Sequence, residues 1–180
     1  MKIYDISQEV FGCKVYPGDP APKKTVLNSM ENGDLYNLTE FSMCAHNGTH
    51  IDAPRHFVRD GLGIDELALD IFVGRCRVVS SPEELNCFEN ERLLLRGTNE
   101  LSPSVAKALA QKNIKLFGIE GQSVGNALVH QTLLENGIVL LEGIRLDGVP
   151  DGEYTLFAAP LKLGGCDGAP CRAILLDDVN

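Results

Sequence analysis

The amino-acid sequence predicts an α/β fold that contains more strand than helix. Short segments of apolar or alternating residues recur along the chain between turn residues, which is typical of strands. Only two segments combine a helical pattern with clear start and stop signals. The length of 180 residues, with 44% hydrophobic and 23% charged residues, predicts that residues 1–180 form one globular domain.

The strands are predicted from short apolar or alternating segments. A first strand is predicted at residues 3–6, and a turn follows at residues 16–20, where Pro17 fixes φ and Gly18 supplies a positive φ. Residues 37–46 give the clearest strand signal, because their side chains alternate with a period of two. Further strands are predicted at residues 74–80, 92–96, 115–119, 138–144, 154–158 and 171–176.

Two helices are predicted from their capping residues. Ser102 is a suitable N-cap and Pro103 suits the first helical position, so a helix is expected over residues 104–112. A second helix is expected over residues 126–135, because Asn136-Gly137 is a good C-terminal stop. Shorter helical turns are expected at residues 64–69 and 82–87.

Charge and hydropathy exclude two classes of partner. The formal net charge is −9 and no basic stripe is present, so a nucleic-acid partner is not expected. The longest apolar runs, such as residues 138–141, are far shorter than the roughly 20 residues that a membrane span needs. The N-terminus lacks the apolar region of a signal peptide, which predicts a cytoplasmic protein. The six cysteines include no CxxC pair, which favours reduced, mostly buried thiols over three disulfides.

Three of the four histidines lie within eleven residues, at His46, His50 and His56. If the strand continues through Asp52, the side chains at positions 46, 48, 50 and 52 point to one face. Gly48 would then leave room for an ion or a substrate to approach the backbone. Imidazole and carboxylate groups are ligands of Zn²⁺, Mn²⁺ and Fe²⁺, so this face predicts a metal site. The structural alternative is a set of polar residues on an exposed strand face.

Two further ligand candidates lie distant in sequence. His130 falls on the second predicted helix, where a single histidine can also be a surface residue or a core residue with a hydrogen-bond partner. Glu142 shares a strand face with Ile138, Leu140 and Ile144, which would place its carboxylate in the interior. A buried carboxylate needs a partner, and a metal ion would keep it ionised.

The segment HxGTHxDAPxH over residues 46–56 resembles the signature of the cyclase family of metal-dependent hydrolases, which includes bacterial kynurenine formamidases. The resemblance extends over nearly the whole chain. It covers residues 4–7 and 16–20, the pair His130 and Glu142, and the C-terminal segments at residues 160–163 and 167–172.

This resemblance implies a strand-rich, swivelling β/β/α-type fold, a homodimer or homotetramer, and one or two divalent ions, Zn²⁺ or alternatively Mn²⁺. It also implies the site residues. His46, His50 and Asp52 would hold one ion, Asp52 and Glu142 would bridge to a second ion completed by His130, His56 would donate and accept the proton, and Tyr16 would contact the substrate where formamidases have a stacking tryptophan.

The sequence departs from formamidases at two places: it has no tryptophan, and residues 120–125 keep Ser123 but lack the aspartates that relatives often carry. The resulting hypothesis is hydrolysis of a C–N bond in a small amide, formamide or cyclic imide by metal-activated water. One alternative is a non-haem iron oxygenase, in which His50, Asp52 and His130 form a facial triad. Another is a catalytically silent metal-binding protein, which would have no need of a free imidazole at His56.

Overall fold

A computed structural model describes residues 1–86, 91–97 and 100–177 of the chain. Its regular elements are eleven strands and two α-helices, joined by short 3₁₀ turns. In chain order they are β1 Lys2–Asp5, β2 Lys23–Asn28, β3 Leu38–Ser42, β4 His50–Asp52, β5 Val73–Val79, β6 Arg92–Leu95, α1 Pro103–Ala110, β7 Leu116–Ile119, α2 Ala127–Glu135, β8 Val139–Glu142, β9 Gly152–Phe157, β10 Gly168–Pro170 and β11 Ile174–Asp177.

Nine strands form one mixed sheet in the order β1-β11-β9-β5-β6-β7-β8-β4-β10. The four central strands, β5 to β8, run parallel to one another, and the flanking strands pair in antiparallel fashion. The parallel strands β6, β7 and β8 are buried along their whole length and are rich in leucine, as expected of a sheet covered on both faces. The predicted α/β class, with more strand than helix, is confirmed.

The two faces of this sheet belong to different core clusters. One cluster, which includes Leu109 of α1 and Leu133 of α2, lies between the sheet and the two helices. The other cluster, with Ile6 among its members, lies against the opposite face. Because side chains alternate along a strand, Leu140 of β8 belongs to the helix-side cluster and Leu141 to the other. Every second position of β8 therefore faces the helices.

Both helices form as the capping residues predict. Ser102 accepts a hydrogen bond from the amide of Val105, and Pro103 occupies the first turn of α1. Asn126 caps α2 by accepting hydrogen bonds from two amides of the first turn. The predicted helical turns occur as 3₁₀ segments at Ile64–Glu66, Leu69–Ile71 and Pro82–Asn86, and Cys87 lies outside the described residues. Two strands, β2 and β10, were not predicted.

The strand predicted over residues 37–46 is shorter than expected and lies outside the main sheet. Its observed part, β3, ends at Ser42 and pairs only with β2 in a separate two-stranded sheet. All side chains of β2 and β3 are exposed except that of Asn28. Period two therefore predicted the strand correctly but not its burial, because both faces of this hairpin point away from the core.

The cysteine prediction is confirmed in one respect and wrong in another. The five described cysteines are free thiols, as expected. Only Cys76 is fully buried, whereas Cys13, Cys44, Cys166 and Cys171 are partly exposed, so the expectation of mostly buried thiols is wrong. Within the described part of the chain, no helix combines the length and the apolar character that crossing a membrane requires.

Candidate metal centre

The strand β4 presents His50 and Asp52 on the helix side of the sheet. Ile51, which lies between them, packs into the cluster on the opposite face, so alternation directs its two neighbours toward the helices. Both side chains are about 1% exposed. Nδ1 of His50 lies 3.0 Å from the carbonyl oxygen of Gly48, and its Nε2 lies 3.4 Å from Oδ1 of Asp52. The structure confirms the expected shared face for these two residues.

Glu142 ends the neighbouring strand β8 and lies directly opposite His50 in the antiparallel pair. Its Oε2 is 3.4 Å from Nε2 of His50, and its Oε1 accepts a hydrogen bond of 2.6 Å from the amide of Val124. Glu142 is 3% exposed, so the prediction of a carboxylate in the interior is correct.

His130 reaches the same carboxylates from α2. Its Nε2 lies 3.3 Å from Oε1 of Glu142 and 3.7 Å from Oδ2 of Asp52. The other ring nitrogen, Nδ1, lies 3.1 Å from the carbonyl oxygen of Asn126, the residue that caps the helix. Because that carbonyl can only accept, it holds a proton on Nδ1 and turns Nε2 toward the carboxylates.

His46 belongs to a turn, so the expectation that one strand runs from residue 46 to residue 52 is wrong. The chain bends because the side chain of Asn47 accepts a hydrogen bond from the amide of Cys44 and Gly48 adopts a φ of +70°. This left-handed conformation explains the glycine. A Cβ there would face Val10 and Cys13 at 3.8 Å, so the expected role in leaving room for an ion is also wrong.

The turn nevertheless brings His46 to the site, with Nδ1 at 2.8 Å from Oδ1 of Asp52. His56 ends the 3₁₀ segment Pro54–His56, and its Nε2 lies 4.0 Å from Oδ2 of Asp52. The rings of His46 and His56 stack with their centroids 4.1 Å apart. As expected, residue 56 returns to the site from a different direction after the proline.

Asp52 is the centre of this arrangement, since all four imidazoles direct a ring nitrogen toward its carboxylate. Its Oδ2 is buried and has no hydrogen-bond partner among the described residues. A buried carboxylate oxygen without a donor is costly, whereas a cation beside it would remove the cost. Two groups of residues could each hold an ion, because the donor atoms within each group lie within 4.8 Å of one another. One group is His46, Asp52 and His56, and the other is His50, Asp52 and Glu142, so Asp52 belongs to both. The residues present fit a divalent metal.

The carboxylates control the protonation of the histidines around them. Burial alone would lower the pKa of His46, His50 and His130, but hydrogen bonds and charges from Asp52 and Glu142 raise all three, that of His50 to about 10. Burial dominates at His56 and lowers its pKa. The same hydrogen bonds overcome burial at Asp52 and hold its pKa below the ordinary range.

A cavity of about 480 Å³ opens over the carboxylates. Tyr16 lines its rim and is 51% exposed, and Gln122 and Ser123 line its wall. The structure thus brings together every residue that the sequence predicts for the site. It also adds Asp167, whose Oδ2 lies 2.9 Å from Nε2 of His46 and 3.2 Å from Nδ1 of His56. The sequence places Asp167 in a C-terminal motif but indicates no role for it.

Comparisons with known proteins match both the family and the fold. The family model Cyclase, described as "Putative cyclase", matches residues 4–94. The chain is 36% identical to a kynurenine formamidase of Salinibacter ruber over 98% of each protein. A solved structure described as a potential metal-dependent hydrolase with cyclase activity is 29% identical, covers 99% of both chains and has a TM-score of 0.84. An isatin hydrolase bound to thioisatinate is 17% identical with a TM-score of 0.81 over 98% of this chain and 92% of that one, which shows a common fold.

Proposed function

Because the chain belongs to the cyclase family of metal-dependent hydrolases, we propose that it uses a divalent metal to cleave a C–N bond in a small amide, formamide or cyclic imide. The observation that carries the proposal is the buried Asp52 carboxylate, which faces four imidazoles, neighbours Glu142 and keeps one oxygen without a donor. A purely structural cluster would satisfy that oxygen, whereas a metal site leaves it for the ion.

We propose one or two ions, Zn²⁺ or alternatively Mn²⁺. His46, His50 and Asp52 would hold one ion, and Asp52 and Glu142 would share a second with His130. The common position of Asp52 in both donor sets supports a shared carboxylate. His56 belongs to one of those sets by distance, and its role as an acid and base rather than a ligand rests on the family resemblance.

A bound ion of this kind lowers the pKa of its water to about 7 and stabilises negative charge on a carbonyl oxygen. The chain supplies the proton transfers. His56 has a pKa lowered by burial, so at neutral pH its ring can accept the proton of the attacking water. The same ring then gives that proton to the leaving nitrogen as the C–N bond breaks. The products are a carboxylic acid and an amine, or, from a cyclic imide, a carboxylic acid and an amide.

The walls of the cavity favour a small aromatic substrate. Its volume of about 480 Å³ is in the range of small-molecule sites. Tyr16 lies at the rim, and Phe57 stacks against the ring of His130 with centroids 4.6 Å apart. The relatives named kynurenine formamidase support a formamide of an aromatic amine as the first substrate to test. Tyr16 would contact its ring in place of a tryptophan.

The metal content of the purified protein tests the proposal, measured by elemental analysis beside His50→Ala and Asp65→Asn. We expect one or two equivalents of Zn or Mn in the wild type and in Asp65→Asn, whose carboxylate lies outside the site, and a loss in His50→Ala. The loaded enzyme is then assayed against aryl formamides, cyclic imides and lactams. A wild type that neither contains nor takes up Zn²⁺ or Mn²⁺ overturns the proposal.

Two further outcomes would each identify a rival function. Oxygen uptake by the Fe²⁺-loaded protein would support an oxygenase with His50, Asp52 and His130 as its ligands. Stoichiometric metal without hydrolysis of any amide in the panel would support a silent metal-binding protein. We also propose a cytoplasmic location, which the free thiols of the described cysteines support.

We propose in addition that the chain forms a homo-oligomer through the β2–β3 hairpin. The hairpin exposes large apolar side chains on a two-stranded sheet that stands apart from the main sheet. They include Val26, Leu27, Leu38 and Phe41, and Leu35 in the loop between the strands is 93% exposed. An isolated two-stranded sheet is marginally stable in water, and an apolar surface of this kind marks a protein contact. A second copy of the chain would cover it.

A further inference from the structure

Asp167 lies in the loop just before β10 and contacts two histidines with one oxygen. Its Oδ2 is 2.9 Å from Nε2 of His46 and 3.2 Å from Nδ1 of His56. These are the two rings that stack on one another beside Asp52. An ionised carboxylate has no proton to donate and can only accept hydrogen bonds. Each ring must therefore place a proton on the nitrogen that faces Asp167.

The backbone contacts of Asp167 fix its position, while its side chain is partly exposed. The carbonyl oxygen of Asp167 accepts a hydrogen bond of 2.9 Å from the amide of Ala53. The next residue, Gly168, is the register partner of Asp52 in the pair of β10 and β4. Gly165 lies two residues earlier in the loop, and its amide donates a hydrogen bond of 2.8 Å to the side chain of Asp65. The backbone of Asp167 is therefore held at a constant place relative to the strand that carries Asp52, with its carboxylate within reach of both rings.

The other two histidines of the site obtain the same support from the backbone. Carbonyl oxygens face Nδ1 of His50, at 3.0 Å, and Nδ1 of His130, at 3.1 Å. His46 and His56 make no such contact with a carbonyl among the described residues, and Asp167 takes that place for both. Each of the four imidazoles thus has one nitrogen facing an outer acceptor and the other facing the Asp52 carboxylate.

We infer that Asp167 is a positioning residue that fixes the tautomer and the orientation of both His46 and His56. With an ion bound, it would hold the ring proton of His46 on Nε2 and leave Nδ1, the nitrogen that faces Asp52, for the metal. It holds the ring proton of His56 on Nδ1 and leaves the lone pair of Nε2 directed into the site to accept a proton. Asp167 acts through these rings rather than on the substrate. The inference rests on the proposed function, since it assigns His46 to the metal and His56 to proton transfer.

Because Asp167 is the shared acceptor for both rings, its loss would affect metal binding by His46 and proton transfer by His56. A metal-binding histidine whose second nitrogen contacts a carboxylate is oriented by it and made more basic, and losing such a partner typically costs about 10- to 100-fold in metal affinity or activity. Here one substitution removes the support of a ligand and of an acid–base group together. Loss of Asp167 should therefore weaken metal binding and also lower turnover at saturating metal.

The test compares the wild type with Asp167→Asn and with the control Asp65→Asn. Asp65 is the matched control because its carboxylate secures the same loop through Gly165 but contacts none of the histidines in the structure. Zn²⁺ affinity is measured by competition with a chelator. We expect Asp167→Asn to bind Zn²⁺ about 10- to 100-fold more weakly and Asp65→Asn to bind it as the wild type does. Equal affinity in all three proteins would overturn the inference.

The tautomers are read directly from long-range ¹H–¹⁵N spectra of the histidine rings in the Zn²⁺-loaded proteins. In the wild type we expect the proton of His56 on Nδ1 and that of His46 on Nε2, and in Asp167→Asn we expect His56 to lose this preference. A purely structural role would leave the tautomers unchanged. A wild-type spectrum with the proton of His56 on Nε2 overturns the inference without any variant. A wild type that binds no Zn²⁺ overturns the proposed function together with the inference. A wild type that binds Zn²⁺ but shows the other tautomer at His56 overturns the inference alone.

Discussion

His50 and Glu142 face each other directly across β4 and β8, and their side chains approach to 3.4 Å between Nε2 and Oε2. The two residues are 92 positions apart in the sequence. Their register links the histidine-rich segment to the distal ligand pair, since Oε1 of Glu142 also lies 3.3 Å from Nε2 of His130 on α2. The antiparallel pairing of a three-residue strand thus determines which carboxylate meets which imidazole.

The contact of Glu142 with His50 predicts that Glu142→Gln binds metal poorly. The amide retains an oxygen for the hydrogen bond from Val124 but lacks the charge that a divalent ion needs. We expect Zn²⁺ affinity to fall by more than the roughly 100-fold that an outer hydrogen-bond partner contributes. Chelator competition measures this, with Glu135→Gln on the exposed end of α2 as the control. Unchanged affinity in Glu142→Gln would remove Glu142 from the ligand set.

His56→Ala is predicted to keep its metal and lose its activity. Loss of a positioned acid and base typically costs about 10²- to 10⁴-fold in turnover, while the remaining donors still bind the ion. Elemental analysis and kcat on the same preparation measure the two effects together. Because His56 belongs by distance to one donor set with His46 and Asp52, a variant that loses its metal would show that residue 56 is a ligand.

Gly168→Ala is predicted to damage the site through the backbone. An added Cβ would lie 2.6 Å from the carbonyl oxygen of Ile51 and 2.8 Å from Cε1 of His46, so strand β10 or the His46 ring must move. Overpacking of this kind costs about 1–3 kcal/mol of stability. The midpoint temperature of thermal unfolding and the affinity for Zn²⁺ should both fall. Gly164→Ala is the control, because its Cβ would meet only Asp65, at 3.9 Å, and a similar loss there would contradict the steric explanation.

The buried thiol of Cys76 predicts a dependence of stability on alkaline pH. Burial raises the pKa of Cys76 from its ordinary value of 9.0 to about 12. The folded state therefore keeps a proton that the unfolded state loses, so this contribution is complete below pH 9 and decreases as the pH rises toward 12. The decrease is at most about 1.4 kcal/mol per pH unit. Denaturant titrations from pH 8 to 11 should show a weaker pH dependence for Cys76→Ala than for the wild type or Cys13→Ala.

The exposed hairpin predicts that Leu35→Asp shifts the protein toward monomers. A charge in the centre of an apolar contact leaves an unpaired carboxylate in the interface, which disfavours association. Light scattering after size exclusion measures the mass. Leu69→Asp is the control, since Leu69 is also highly exposed but lies on a 3₁₀ turn outside the hairpin. A wild type that is monomeric at high concentration would contradict the proposed oligomer.

The sequence was sufficient to predict the ligand types but not the path of the chain between them. His50 and Asp52 share a face because period two is a local property of a strand. His46 does not continue that strand, because Gly48 turns in the left-handed region, and a glycine within an alternating pattern can be either a strand residue or a turn. The alternation alone did not distinguish these two conformations.

Long-range pairing explains what could not be predicted. Asp167 is 111 residues from His56, and its segment has the glycines of an ordinary turn, so nothing local indicates that its carboxylate meets two imidazoles. Strand β10 is three residues long and gives no period to detect. The burial of Glu142 was predictable, because an acidic residue at the end of an apolar run must either leave the core or find a partner within it.

The position of β4 and β10 at one end of the nine-stranded sheet has a consequence for the order in which the protein assembles. Donors from residues 46–56, 130 and 142 and the support from Asp167 meet only after contacts of high sequence separation have formed, which is a late event in folding. A nascent chain therefore cannot capture its ion until most of the fold exists. When metal is scarce, the central parallel strands β5 to β8 should stay folded while the sheet end formed by β4 and β10 opens first. The rate of amide hydrogen exchange in β4 and β10 would then report which fraction of the molecules carries metal.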